Sequence, residues 1–270
     1  MRRTGGERLV PLGTLLLAAV LGGCATSRHF VGSPARGLPP LPSDWRTLPN
    51  PVPRYLPPAP RGNPPSYTVD GKRYYVLASA AGYHRIGVAS WYGPNSQGRI
   101  TADGDRYDMY AMTAANKVLP LPTYVRVTDL SNGRSVIVKV NDRGPFVAHR
   151  LIDLSYVAAA KLGMLGTGTA LVDVQALTPG SPASLSAAMQ PLGAPLYVQV
   201  GAFAVPANAE RVLARLQSAG LPGPFILSPS VTGGTLYRVR VGPVHDVPEY
   251  DALAARLAAL GYPGAILVKP

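Results

Sequence analysis

The run YVRVTDLSNGRSVIVKVNDRGPF, Tyr124 to Phe146, reads as two strands joined by a tight turn. Val125 and Val127 alternate with Arg126 and Thr128, and Val136, Val138 and Val140 alternate with Ile137 and Lys139. Alternation places successive side chains on opposite faces of a strand. Asn132-Gly133 lies between the two runs. Asn-Gly tolerates the positive φ angles that a two-residue hairpin turn demands, so this is a strong hairpin signal. At Asn141-Asp142-Arg143-Gly144-Pro145 the chain must turn again, because proline has no donor for a ladder. Working outward, Ile86–Gly93 and Ala170–Leu177 alternate in the same way. Asp153-Leu154-Ser155 is expected to cap a helix running to Leu162, since Asp and Ser accept from first-turn N–H groups. Several short strands and one helix over residues 67–178 predict a compact barrel.

Both flanks differ in composition. Residues 24–66 include LPPLPSDWRTLPNPVPRYLPPAPRGNPP and read as a proline-rich linker, extended and semi-rigid. Residues 179–193 read as a second linker. The last segment, 194–270, contains an internal repeat. Leu196–Gly201 (LYVQVG) echoes Tyr237–Gly242 (YRVRVG), and Arg215–Gly223 (RLQSAGLPG) echoes Arg256–Gly264 (RLAALGYPG). Each half reads strand, helix, strand. Val212, Leu213, Leu216 and Ala219 share one helix face, and Leu253, Leu257 and Leu260 share the other. Thr232-Gly233-Gly234 is the expected hairpin turn. The order β-α-β-β-α-β is ferredoxin-like.

The N-terminus predicts export. Arg2, Arg3 and Arg8 precede an apolar run from Leu9 to Val20, which is too short to span a bilayer but fits a signal peptide over residues 1–23. The run ends in Leu21-Gly22-Gly23-Cys24, and Cys24 is the only cysteine, so no internal disulfide is possible. The net charge of +12 calls for an anionic partner. Export removes nucleic acid from the choice and leaves the membrane surface and the cell wall.

Longer motifs then carry a resemblance. Ala89-Ser90-Trp91-Tyr92-Gly93, Gly98-Arg99-Ile100-Thr101-Ala102, Leu119-Pro120-Leu121-Pro122, Asn132-Gly133-Arg134-Ser135, Val140–Phe146, Arg150 and Ile152-Asp153-Leu154-Ser155 resemble the double-psi beta-barrel of the rare lipoprotein A family, septal-ring lytic transglycosylases. Tyr197-Val198-Gln199-Val200-Gly201, Phe203, Asn208-Ala209 and Tyr237–Pro243 resemble the SPOR domain. Leu21–Cys24 resembles a lipobox, and Ala25 after it resembles the signal for transfer to the outer membrane. The resemblance implies a six-stranded double-psi beta-barrel followed by a SPOR domain. It also implies a lipid anchor on Cys24 and a place on the periplasmic face of the outer membrane at the septum. The partners it implies are peptidoglycan glycan strands stripped of stem peptides, and divisome proteins. No cofactor or metal is expected.

The resemblance also assigns site residues. Asp142 is the expected catalytic acid, with Asp105 where the family usually has Glu and Asn116 where it usually has His. A lytic transglycosylase uses a hydroxyl of its own substrate as nucleophile, so one well-placed acid can carry the step. Trp91, Tyr92 and Arg143 are expected to bind sugar in the barrel. Gln199, Phe203, Arg238 and Arg240 are expected to do so on one face of the terminal sheet, since the alternation in YRVRV puts both arginines opposite the valines. Asp153 reads as a helix cap. The alternative to an enzyme is a wall-binding lipoprotein that has lost turnover.

Overall fold

The computed structural model describes residues 37–179, 195–228, 230–231 and 234–270. Cys24, the signal peptide, nearly all of the second linker and Thr232-Gly233 lie outside the described residues. The described chain opens on an extended segment and a hairpin, β1 (Ser66–Val69) and β2 (Lys72–Tyr75), turning at Asp70-Gly71 with positive φ at both. Six strands then close a barrel: β3 (His84–Trp91), β4 (Thr113–Asn116), β5 (Thr123–Asp129), β6 (Ser135–Asp142), β7 (Ile152–Leu154) and β8 (Ala170–Ala176). Their order around the barrel is β3-β7-β4-β6-β5-β8. The expected Asn132-Gly133 hairpin joins β5 to β6, with Gly133 at φ 72°. Val125, Val127, Val136, Val138 and Val140 fill the barrel interior.

Helix α1 (Tyr156–Leu162) comes after β7, and Ser155 is its N-cap, accepting from the Ala158 N–H. Asp153 is not a cap. It lies inside β7, two residues before the cap, because the chain is still pairing with β4 there.

The proline-rich segment is not a free spacer. The Ala59 N–H donates to the Leu121 carbonyl at 2.8 Å, Tyr156 Oη donates to Pro39 O at 2.9 Å, and Lys161 donates to Leu48 O. From residue 38 onward this strap lies along the barrel and belongs to its folded unit. Repeated proline keeps it extended, and its carbonyls take donors from the barrel.

The last domain contains β9 (Leu196–Phe203), α2 (Pro206–Ser218), β10 (Phe225–Leu227), the two-residue strands β11 (Ser230–Val231) and β12 (Gly234–Thr235), β13 (Tyr237–Val244), α3 (Val247–Ala259) and β14 (Ile266–Val268). The sheet order β10-β13-β9-β14, all antiparallel, is the ferredoxin-like arrangement expected from the repeat. This domain docks on the barrel. Val88 and Leu171 bury themselves in its core, Arg150 grips Asp251 with two bonds of 2.7 and 2.8 Å, and Asp173 pairs with Lys269 at 3.0 Å.

Candidate functional site

Strand β4 organises the site. Ala115 is the register partner of Asp142 on β6 and also of Asp153 on β7. Two inter-strand steps of about 4.8 Å therefore separate the two aspartates, with only a methyl group between them. Asp142, Asp153 and Ala115 line one cavity of about 200 Å3, together with Tyr92, Tyr107, Arg99 and Phe146. Asp142 Oδ1 accepts two backbone N–H groups, from Ala102 and Arg143, each at 2.8 Å. Asp153 is buried and accepts from the Ser90 hydroxyl. The Tyr107 hydroxyl donates to Tyr92 O at 3.0 Å, with the two rings 4.4 Å apart. Burial raises both phenols above their usual range, and the neighbouring carboxylates act in the same direction. Both phenols stay neutral and form a protonated, low-polarity wall behind the acids.

The expected catalytic residues do not all meet here. Asn116 is next to Ala115 on the same strand and so points the other way. It is 1% exposed. Its Oδ1 accepts from Val118 and Leu119 N–H, each at 2.9 Å, and its Nδ2 donates to Leu151 O at 3.1 Å. That is a structural amide, and the expectation that it meets substrate is corrected. Asp105 is also elsewhere. The loop from Gly98 to Tyr107 is pinned to the end of β6 through the Ala102 and Asp103 N–H groups and forms a ridge. The Asp142 cavity lies on one side of this ridge. On the other side is a groove of about 600 Å3 that holds Asp105, with Leu48–Pro51 of the strap among its lining residues. Lys139 donates to Asp105 at 2.6 Å and holds its carboxyl below the usual range. Asn141 adds a bond of 3.3 Å.

Two of the expected sugar contacts in the barrel are corrected as well. Trp91 is 1% exposed and packs on Tyr156, so it plugs the barrel. Arg143 borders the cavity, yet all five of its guanidinium N–H groups are engaged. They reach Gly62 O twice, Asn63 Oδ1, Asn116 O and Leu119 O. Tyr92 does line the cavity. The sequence reading missed Asp153, Tyr107 and Ser90 as site residues. The signal for Asp153 was its place between Ile152 and Leu154, two apolar neighbours that turn it to the opposite face.

On the terminal sheet, Arg240 pairs in register with Gln199, and Arg238 with Ala202, all on the face away from the helices. A register shift between Val239 and Arg240 leaves Val200 unpaired. The extra residue flips the rest of the strand, so Phe203 pairs with Tyr237 and packs into the core, not beside the arginines. Arg240 is largely buried and donates to Lys269 O at 3.0 Å, which ties it to the C-terminal end. Gln199 and Arg238 are half-buried and remain on the outer face. Among the described residues, no group of three or more His, Cys, Asp or Glu side chains could hold a metal ion.

Comparison with known proteins places this geometry. Residues 84–174 match the protein family described as "Lytic transglycolase", and residues 193–269 match the SPOR domain family. "Endolytic peptidoglycan transglycosylase RlpA" of Pseudomonas aeruginosa UCBPP-PA14 is 39% identical, over 84% of this chain and 82% of its own. The chain belongs to the RlpA family. The Vibrio cholerae RlpA is 35% identical over 94% of both chains. In Neisseria meningitidis the identity rises to 53% over 45% of this chain and 51% of the relative. A solved SPOR domain of RlpA from Pseudomonas aeruginosa is 35% identical over 28% of this chain and 99% of its own, with a TM-score of 0.27. The closed six-stranded barrel is thus the family's double-psi barrel, and the terminal sheet with its two helices is a SPOR domain.

Proposed function

We propose that this RlpA chain is a lytic transglycosylase that cuts peptidoglycan glycan strands internally, using the carboxyl pair Asp142 and Asp153. The observation that supports it is the single cavity in which Ala115 separates the two acids. The Asp142 carboxyl gives its proton to the glycosidic oxygen between muramic acid and glucosamine. The C1–O bond breaks and its electron pair leaves with that oxygen. The C6 hydroxyl of the muramic acid then bonds to C1 and closes a 1,6-anhydro ring. Asp153, ionised and oriented by Ser90, stabilises the developing positive charge and receives the C6 hydroxyl proton. The proton has passed from one aspartate to the other, and exchange with solvent resets the pair. No water is consumed, so the acids need not stand far enough apart to admit one. The departures at Asp105 and Asn116 fall outside this cavity.

The SPOR domain supplies retention on glycan lacking stem peptides, through amide and guanidinium groups of the outer sheet face, Gln199 and Arg238 foremost. A lipid on Cys24 places the enzyme on the periplasmic face of the outer membrane, and the glycan preference concentrates it at the septum. The test is mass spectrometry of fragments released from sacculi with and without prior amidase treatment. Anhydro-ended strands released faster after amidase treatment support the whole reading. If wild-type protein releases nothing, the barrel is a binding module only. If Cys24→Ala fractionates like wild type, the anchor is wrong.

A further inference from the structure

Both donors that fix the Asp142 carboxyl are themselves braced by residues outside the matched catalytic domain of 84–174. The bracing residues are Gly62 and Asn63 of the strap. Arg143 supplies one donor through its backbone N–H, and its guanidinium closes on the Gly62 carbonyl through Nε at 2.9 Å and Nη2 at 2.7 Å. Ala102 supplies the other donor, and its carbonyl lies against Gly62. A Cβ at position 62 would stand 2.7 Å from Ala102 O, and Gly62 has φ +79°, so only glycine fits without moving the ridge. Asn63 locks the strap in place. Its Oδ1 accepts from Leu121 N at 2.8 Å and from Arg143 at 3.2 Å, and its Nδ2 donates to Leu121 O at 2.7 Å.

We propose that Gly62 and Asn63 are positioning residues for the reaction, setting the orientation of the Asp142 carboxyl through Ala102 and Arg143. The proposal rests on Asp142 being the acid. A misplacement near 1 Å costs about 100-fold in rate, so a strap that fits loosely reduces turnover even when the barrel is intact.

The test uses the full-length protein, with Gly62→Ala, Asn63→Ala, Asn63→Asp, the strap control Thr47→Ala, and Asp142→Asn in parallel. Thr47 bonds only within its own exposed turn. The readouts are kcat and KM on denuded glycan, thermal midpoint, and the 13C titration of the Asp142 carboxyl, assigned by its disappearance in Asp142→Asn. The expected result is a kcat lower by about 10- to 100-fold in Gly62→Ala and Asn63→Ala, with KM within about twofold. The Asp142 titration should move to higher pH, because carboxylate-stabilising N–H groups have loosened. Asn63→Asp keeps the acceptor for Arg143 and should recover part of the rate, and Thr47→Ala should behave as wild type. Folded variants with wild-type kcat and an unmoved titration overturn the positioning role alone. A lower thermal midpoint with unchanged kcat per folded molecule and an unmoved titration also overturns it, since that is what a merely structural brace does. Asp142→Asn with wild-type turnover overturns the acid assignment and this proposal together.

Discussion

The two hollows beside the Gly98–Tyr107 ridge both contain an aspartate, and their surroundings assign them opposite roles. Asp142 faces neutral tyrosines and a second acid, in a cavity that Arg99 and Arg143 also border. Asp105 is half exposed and clamped by Lys139, which keeps it ionised. Two carboxyls sharing one cavity can pass a proton between them, whereas the second setting holds a fixed anion. The identity of a residue in a motif does not decide which role it takes; the partners do.

The strongest way to break this comparison is Asp142→Asn. The variant should lower kcat by about 10²- to 10⁴-fold, the usual share of a general acid, with sacculus binding intact. Asp105→Asn should leave kcat within about tenfold of wild type, because it removes only a surface ion pair outside the Asp142 cavity. If steady-state kinetics show the larger kcat loss in Asp105→Asn, the acid lies in the groove and not in the Asp142 cavity. Asn116→Ala sharpens the contrast from outside both hollows. It leaves the buried Val118 and Leu119 N–H groups without an acceptor, so denaturant unfolding should show a loss of about 2 kcal/mol or more. Turnover per folded molecule should stay near wild type.

The smallest effect is at alkaline pH. Burial holds Lys117 down to about 8, against an ordinary value of 10.5, and Asp153 pulls it back up. The folded chain therefore sheds this proton while the unfolded chain keeps it, so stability rises with pH between about 8 and 10. Above 10 the sign reverses, because burial pushes Tyr67 up to about 12 and the unfolded phenol ionises first. Lys117→Met should flatten the rise in thermal midpoint between pH 8 and 10. An unchanged slope would place the titration on another group.

The barrel hairpin and the repeat of the terminal domain were legible because alternation and Asn-Gly are local signals. Strands β4 and β7 were not. TAAN and IDL are too short to show a period, and each is held as a strand by neighbours on both sides. Asp153 was misread for that reason. Arg143 was misread because its partners, Gly62 and Asn63, lie about 80 residues away in sequence. The strap itself looks like any proline-rich spacer, since an extended backbone is the same whether it meets solvent or a barrel. A single bulged residue, Val200, was enough to send Phe203 to the other face.

The seam of the barrel also bears on how such domains are exchanged between proteins. His84 opens β3 and pairs with Gln175 near the end of β8, so the barrel's two chain ends emerge side by side. Adjacent ends suit a cassette for insertion or circular permutation. A cassette cut at those ends, however, would omit the strap. Arg143 would then keep only its bonds to Asn116 O and Leu119 O, and the graft would inherit the acids without the frame that aims them. A recombined wall enzyme built on this barrel has to carry residues 37–66 with it.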